Sequence, residues 1–142
     1  MRRKHSFIDG ERIRRGSTLR RVEPVQEHLA SGLAAIPELR YIKLFPGRLA
    51  ASSHLSTDGK KNLVVAVAVG GEGITGVELL IDADARVVQC YAITSAVQGR
   101  GRKMVEAVVG ATPADWLVAV PVDWSGGFWE RMAGDYSRLR VL

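Results

Sequence analysis

The clearest chemistry in the chain lies in Gln98-Gly99-Arg100-Gly101, between an apolar segment and a helical one, with Arg102 and Lys103 directly behind. A strand-to-helix turn leaves the first N–H groups of the helix without carbonyl partners. The helix dipole adds positive potential there, so such ends bind anions. Glycine lets the backbone approach a phosphate and supplies dihedral angles that other residues resist. Arg100, Arg102 and Lys103 sharpen the expectation. Cations in a first helical turn oppose the dipole, at about 0.3–1 kcal/mol each, unless an anion offsets them. The other reading is a solvated turn with surface arginines. A second glycine pattern, Gly71-Glu72-Gly73-Ile74-Thr75-Gly76, has dinucleotide-loop spacing. That site requires a helix to open after the glycines. The chain from Ile74 onward is instead β-branched and strand-like, so a hairpin turn is expected. Ser125 is placed to cap the next helix, since a nucleophilic serine needs a positioned histidine and the spacing offers none. His5, His28 and His54 are widely separated and Cys90 is the single cysteine, so neither a His/Cys metal cluster nor an internal disulfide is expected.

These residues need elements to hold them. Ser17 to Val22 contains a short alternating stretch and reads as a strand. Pro24 suits the first turn of a helix, in which Val25, Leu29, Leu33 and Ile36 fall at helical spacing until Pro37 ends the run. Arg40 to Phe45 is a possible strand, Pro46-Gly47 a turn, and Ser52 to Lys61 polar and loop-like. Leu63 to Val69 is continuously apolar and valine-rich, as in a strand covered on both faces. Ile74 to Ile81 and Arg86 to Thr94 come next as strands across short polar turns, which implies an antiparallel meander. Past the glycine turn, a helix shows Met104, Val105, Val108 and Val109 on one face and stops at Thr112-Pro113. Trp116 to Val122 reads as a buried strand, Gly126 to Ala133 as a short helix, and Ser137 to Leu142 as a final strand. The expected class is α/β (α+β), a mixed and largely antiparallel sheet flanked by helices.

The segment from Ile93 through Lys103, I-T-S-A-V-Q-G-R-G-R-K, resembles the acyl-CoA pyrophosphate loop of the GNAT superfamily of N-acyltransferases, usually R/Q-G-x-G-x-G/A after an apolar strand. Thr18 to Leu33 is similar to that family's opening strand and helix. Phe128-Trp129-Glu130-Arg131-Met132 resembles its F-Y-E-K-L segment. The similarity covers about residues 17–142, and it rests on the joint order of these motifs. It implies a sheet whose fourth strand (86–94) and fifth (116–122) splay apart to admit the pantetheine arm of acetyl-CoA or another acyl-CoA. Backbone groups of Ile93, Thr94 and Ser95 would pair with pantetheine amides. The N–H groups of Gln98, Gly99, Arg100, Gly101, Arg102 and Lys103 would hold the pyrophosphate. The implied reaction is direct attack of an amine on the thioester, an N-acetyltransferase-like activity helped by positioning and oxyanion stabilisation.

Three positions depart from the family pattern. Lys103 stands where a third glycine or alanine is usual. Trp129 occupies the place of the frequent catalytic tyrosine, and an indole N–H is no proton donor at neutral pH. Tyr136 and Tyr91 are the candidate replacements, each alternatively a packed aromatic. The chain also has one closing strand where a hairpin is common, so the missing strand is absent or supplied by a second copy in a homodimer. Glu78 and Asp123 are the acidic groups nearest the implied cleft. Glu78 is the candidate base.

Charge is unevenly spread. Residues 1–21 hold eight basic side chains against Asp9 and Glu11, a net of +6, so the remaining 121 residues carry −1 of the total of +5. Residues 1–16 are therefore read as a basic arm and 17–142 as the domain. Such an arm is either a solvated terminus or a tracker of nucleic-acid phosphates. The latter reading resembles Mom-like phage enzymes, GNAT-related proteins that modify adenine in DNA. A third possibility is a non-catalytic interaction module on the same scaffold. The 142 residues, 46% hydrophobic and 25% charged, fit one globular domain and exclude overall disorder. The longest apolar run has seven residues, against the ~20 of a membrane span, and no secretory h-region is visible. One cysteine makes a cytoplasmic location the simplest expectation.

Overall fold

Helix α1 (Pro24–Ala34) forms where its sequence repeats apolar residues every four positions. Val25, Leu29 and Leu33 are all buried along one face, each contributing about 1.5–3 kcal/mol of burial, and Ile36 is buried just beyond the end. The last turn tightens: the Ile36 N–H bonds the Leu33 carbonyl at 3.0 Å before Pro37 bars continuation. Gln26, also fully buried, is satisfied by donating its Nε2 to the Arg48 carbonyl at 3.1 Å. The structure is a computed structural model and describes residues 24–45, 47–57, 62–65, 73–95, 99–121, 123 and 126–142. The expected strand at 17–22 and the basic arm lie outside them.

The remaining elements are β1 (Tyr41–Phe45), β2 (Arg48–Ser52), β3 (His54–Thr57), β4 (Asn62–Val65), β5 (Gly76–Asp82), β6 (Val87–Thr94), α2 (Arg100–Ala111), β7 (Leu117–Val120), α3 (Phe128–Asp135) and β8 (Leu139–Val141). Six strands form one mixed sheet in the order β1-β2-β5-β6-β7-β8, and β3 and β4 make a separate ribbon. β1, β2, β5 and β6 are successively antiparallel, while β6–β7 and β7–β8 are parallel. The mixed α/β class with a mostly antiparallel sheet is as the sequence implies. Of the expected three-stranded meander, the β5–β6 hairpin forms and the first link does not. β5 pairs with β2, and the strand that begins at Asn62 pairs with β3 instead. Val77, Leu79 and Ile81 alternate into the core opposite Ala51, Leu49 and Gly47 of the neighbouring hairpin, whose Gly47 carbonyl accepts the Ile81 N–H at 2.9 Å.

Parallel strands need crossovers, and right-handed ones place α2 and α3 on the same face. There α1 crosses α2 where small residues permit it: a Cβ on Gly32 would stand 3.5 Å from the Ala107 carbonyl oxygen and 3.8 Å from the Cβ of Ala107 and of Ala111. Met104, Val105 and Val108 are buried beneath α2. Thr112 ends that helix, its hydroxyl donating to the Val108 carbonyl at 2.6 Å. Arg138 fastens the exit. Its guanidinium donates to the carbonyls of Val109 (2.7 Å), Thr112 (3.1 Å), Trp116 (3.3 Å) and Pro113, which ties the α2–β7 connection to the start of β8. Among the described residues no helix is long and apolar enough to cross a membrane.

Candidate functional site

β6 is longer than its parallel neighbour. The two pair only at Val87↔Leu117, Val88↔Val118 and Gln89↔Ala119. β6 then runs on to Thr94, whereas β7 stops at Val120. Pro121 has no N–H to continue a ladder, and the Val120 carbonyl is already bonded to the Leu142 N–H at 3.0 Å on the β8 side. Among the described residues, no strand therefore pairs with this edge of β6 beyond Gln89. On its other edge β6 carries a bulge: Glu78 faces Ala92 and Leu79 faces Cys90, so Tyr91 is the extra residue. Bulges bend and twist a strand, and this one lies within the unpaired stretch.

The open edge leads to the start of α2. Gly99 caps the helix at φ 90°, in the left-handed region that favours glycine, and no side chain caps the first turn. A cavity of about 370 Å³ lies here, lined by Ser95, Gly99, Gly101 and Arg102 together with Phe128, Arg131 and Met132 of α3. Gly101 lies in close approach, since a Cβ would stand 3.3 Å from two atoms of the Phe128 ring. Phe128 in turn meets Trp129 edge to face at 5.1 Å, and Trp129 is buried in the core.

Two of the three cations of the glycine turn are matched within the protein. Arg100 Nε stands 2.8 Å from Glu38 Oε2, and Arg102 Nη2 donates to Asp135 Oδ2 at 2.7 Å. The first contact is close but poorly aligned for a hydrogen bond, and Glu38 Oε1 is shielded from water with no partner among the described residues. The Arg100 guanidinium holds the Glu38 carboxyl below its usual range, against the opposing effect of desolvation. Asp135, with a smaller contribution from the Tyr136 phenol, raises the pKa of Arg102 further. Two of the three cations of the turn thus already face carboxylates, so their number alone does not call for a phosphate. Lys103 is exposed on the first turn, its N–H bonded to the Gly99 carbonyl at 3.3 Å.

The structure separates the other sequence candidates. Ser95 lines the cavity, and Ile93 and Thr94 form the end of β6, half-buried. Tyr136 reaches Arg102 on the cavity wall. Glu78 and Tyr91 are not in the lining: Glu78 pairs with Arg48 at 2.9 Å, and Tyr91 is 49% exposed. Asp123 is exposed. Gln98 and Ser125 lie outside the described residues, and the N-cap of α3 is Gly127, not Ser125. Buried Cys90 has its thiol pushed up to about 12 by desolvation, which makes it an inert core residue. Sequence reasoning gave no role to Phe128, Arg131 or Met132. Their i, i+3, i+4 spacing on α3 was the available signal, because it sets all three on one helix face. Among the described residues no group of His, Cys, Asp and Glu side chains is placed to hold a metal ion. No family model, curated protein or solved structure matches this chain.

Proposed function

We propose that the protein binds an acyl-CoA, acetyl-CoA in the simplest case, and transfers its acyl group to an amine, in keeping with the GNAT resemblance of its motifs. One observation carries this reading: an unpaired stretch of strand edge, Cys90 to Thr94, runs directly into a cavity at a glycine-capped helix start. An extended chain of amides can add to a free strand edge through main-chain hydrogen bonds. Pantetheine is such a chain, and the diphosphate at its end then lies against Gly99, Gly101 and the cavity wall. With the thioester beside β6, the amine nitrogen attacks the carbonyl carbon and the C–S bond breaks. A backbone N–H near Ile93 to Ser95 stabilises the developing oxyanion. The ammonium proton passes to a carboxylate, for which Glu78, opposite Ala92 of the bulged strand, is the candidate. Tyr136 is the candidate to protonate the departing thiolate, with Tyr91 the second phenol on offer.

The test is ligand-dependent melting. A ligand that binds only the folded state stabilises it by RT ln(1 + [L]/Kd), about 2.7 kcal/mol at a hundredfold excess over Kd. Millimolar acetyl-CoA is expected to raise the melting temperature by several degrees. An unchanged melting curve removes the reading. The +6 charge of residues 1–21 favours a second version of the acceptor, a nucleic-acid base. In that version DNA affinity falls steeply with salt and is lost when residues 1–16 are deleted.

A further inference from the structure

Beside the cavity, one carboxylate of α3 is spaced to pair with either of the two arginines on the cavity wall. Arg102 and Arg131 both line it. Asp135 lies four residues after Arg131 on α3, where an i, i+4 ion pair would ordinarily form. Its carboxylate is instead taken by Arg102 at 2.7 Å. Arg100, the other arginine of the glycine turn, faces Glu38 at 2.8 Å. Among the described residues no carboxylate pairs with Arg131. Its guanidinium leans back over the first turn of its own helix, with Nη1 3.5 Å from where a Cβ on Gly127 would be. That lean points against the helix dipole, an unfavourable place for a cation unless an anion occupies the cavity beside it.

We propose that Arg131, and not the arginines of the glycine turn, is the side chain that binds the diphosphate of the ligand. The inference rests on the acyl-CoA reading for the identity of that ligand, while the charge count on the wall stands independently. Arg102 is spent on Asp135 and Arg100 on Glu38, so each offers an incoming anion little net charge. Arg131 offers a full one, with a planar fork of donors suited to phosphate oxygens. Asp135 then sets the affinity from the other side, as the counter-charge held by Arg102.

The experiment measures binding of coenzyme A and of inorganic pyrophosphate by calorimetry to the full chain, to Arg131→Gln and to Asp135→Asn, with melting curves of the free proteins as the check on folding. Both substitutions lie on exposed positions of α3. Arg131→Gln is expected to weaken both ligands about tenfold, the scale of one charge-assisted hydrogen bond at a partly solvated site. Asp135→Asn is expected to tighten both severalfold. A merely structural role for either residue does not produce opposite shifts at constant melting temperature. Arg131→Gln binding pyrophosphate within twofold of the unaltered protein overturns the inference, as do shifts in the same direction for the two variants. If pyrophosphate binds in the expected pattern but coenzyme A does not bind, the acyl-CoA reading fails and the role of Arg131 stands. If coenzyme A binds equally to all three proteins, the acyl-CoA reading survives and the role of Arg131 falls.

Discussion

Gly101 gives the most direct probe of the proposed site, because its two natural comparators differ in one respect only. Any side chain there places a Cβ 3.3 Å from the Cε1 and Cζ atoms of Phe128, so the ring must give by a few tenths of an ångström. Such overpacking costs about 1–3 kcal/mol in a tight core, and the lower end applies to a half-buried ring on a cavity wall. Against this, alanine gains up to about 1 kcal/mol over glycine within a helix. Gly101→Ala is therefore expected to change stability by no more than about 1 kcal/mol. Gly101→Asp has the same Cβ, and its carboxylate in the first turn of α2 is favoured by the dipole by about 0.3–1 kcal/mol. The two variants should melt within a few degrees of each other. Their binding should differ sharply. A carboxylate about 4 Å from a phosphate repels it by about 4 kcal/mol at an effective dielectric constant of 20, close to a thousandfold in affinity. Partial solvation of the cavity reduces this to about a hundredfold or more. Calorimetric titration with acetyl-CoA, alongside circular-dichroism melts, makes the comparison. A folded Gly101→Asp protein that binds acetyl-CoA as tightly as Gly101→Ala would refute the placement of the diphosphate.

Two further predictions concern what holds the site in place. Arg138→Met removes donors from four carbonyls at the α2–β7 connection and is expected to cost about 2–4 kcal/mol in urea unfolding, with acetyl-CoA affinity unchanged. Equal stability would show that the clamp is idle. Glu38 titrates below the ordinary carboxylate value in the folded chain because of Arg100, so its contribution to stability is complete at neutral pH and disappears as pH falls through that lowered value. Melting temperatures from pH 7 to pH 3 should consequently fall less steeply for Glu38→Gln than for the unaltered protein, and parallel curves would show that the pair contributes nothing.

The elements flanking the site were legible because their signals are local. Val25, Leu29 and Leu33 announced α1; Met104, Val105 and Val108 announced α2; Thr112-Pro113 marked its end; and all these apolar residues are buried. The rejected dinucleotide pattern ends at Gly76, where β5 begins and no helix opens. α3 starts two residues later than its pattern indicated because Gly126 and Gly127 adopt φ of 72° and 130°, outside the helical region. β2 was missed for a physical reason. Its Arg-Leu-Ala-Ala-Ser sequence is poor in β-branched residues and shows no alternation, since Leu49, Ala50, Ala51 and Ser52 are all buried. β3 was hidden likewise, His-Leu-Ser-Thr reading as a polar loop. Long-range pairing left no local mark. Nothing in the residues near Glu78 says that Arg48 will lie beside it, and nothing near Arg102 names Asp135, 33 positions away.

The ion pairs have a consequence for how the cavity works. Glu38 lies beyond the end of α1 and Asp135 ends α3, so the two arginines bind the first turn of α2 to elements on both sides of it, with no ligand needed to neutralise them. The opening beside β6 is likewise set by the chain itself. A crossover helix lets β7 enter against the beginning of β6, Pro121 ends β7 after four residues, and β8 takes its far edge. A hairpin in place of that crossover would have paired β6 along its length. Geometry of this kind is preformed, and a preformed site spends little binding energy on ordering itself. Affinity for an anion then depends on the charge left uncompensated on the wall. On the proposed reading, the glycines of the turn would provide clearance and amide hydrogens, and the net charge that attracts a phosphate would come from the helix on the opposite side of the cavity.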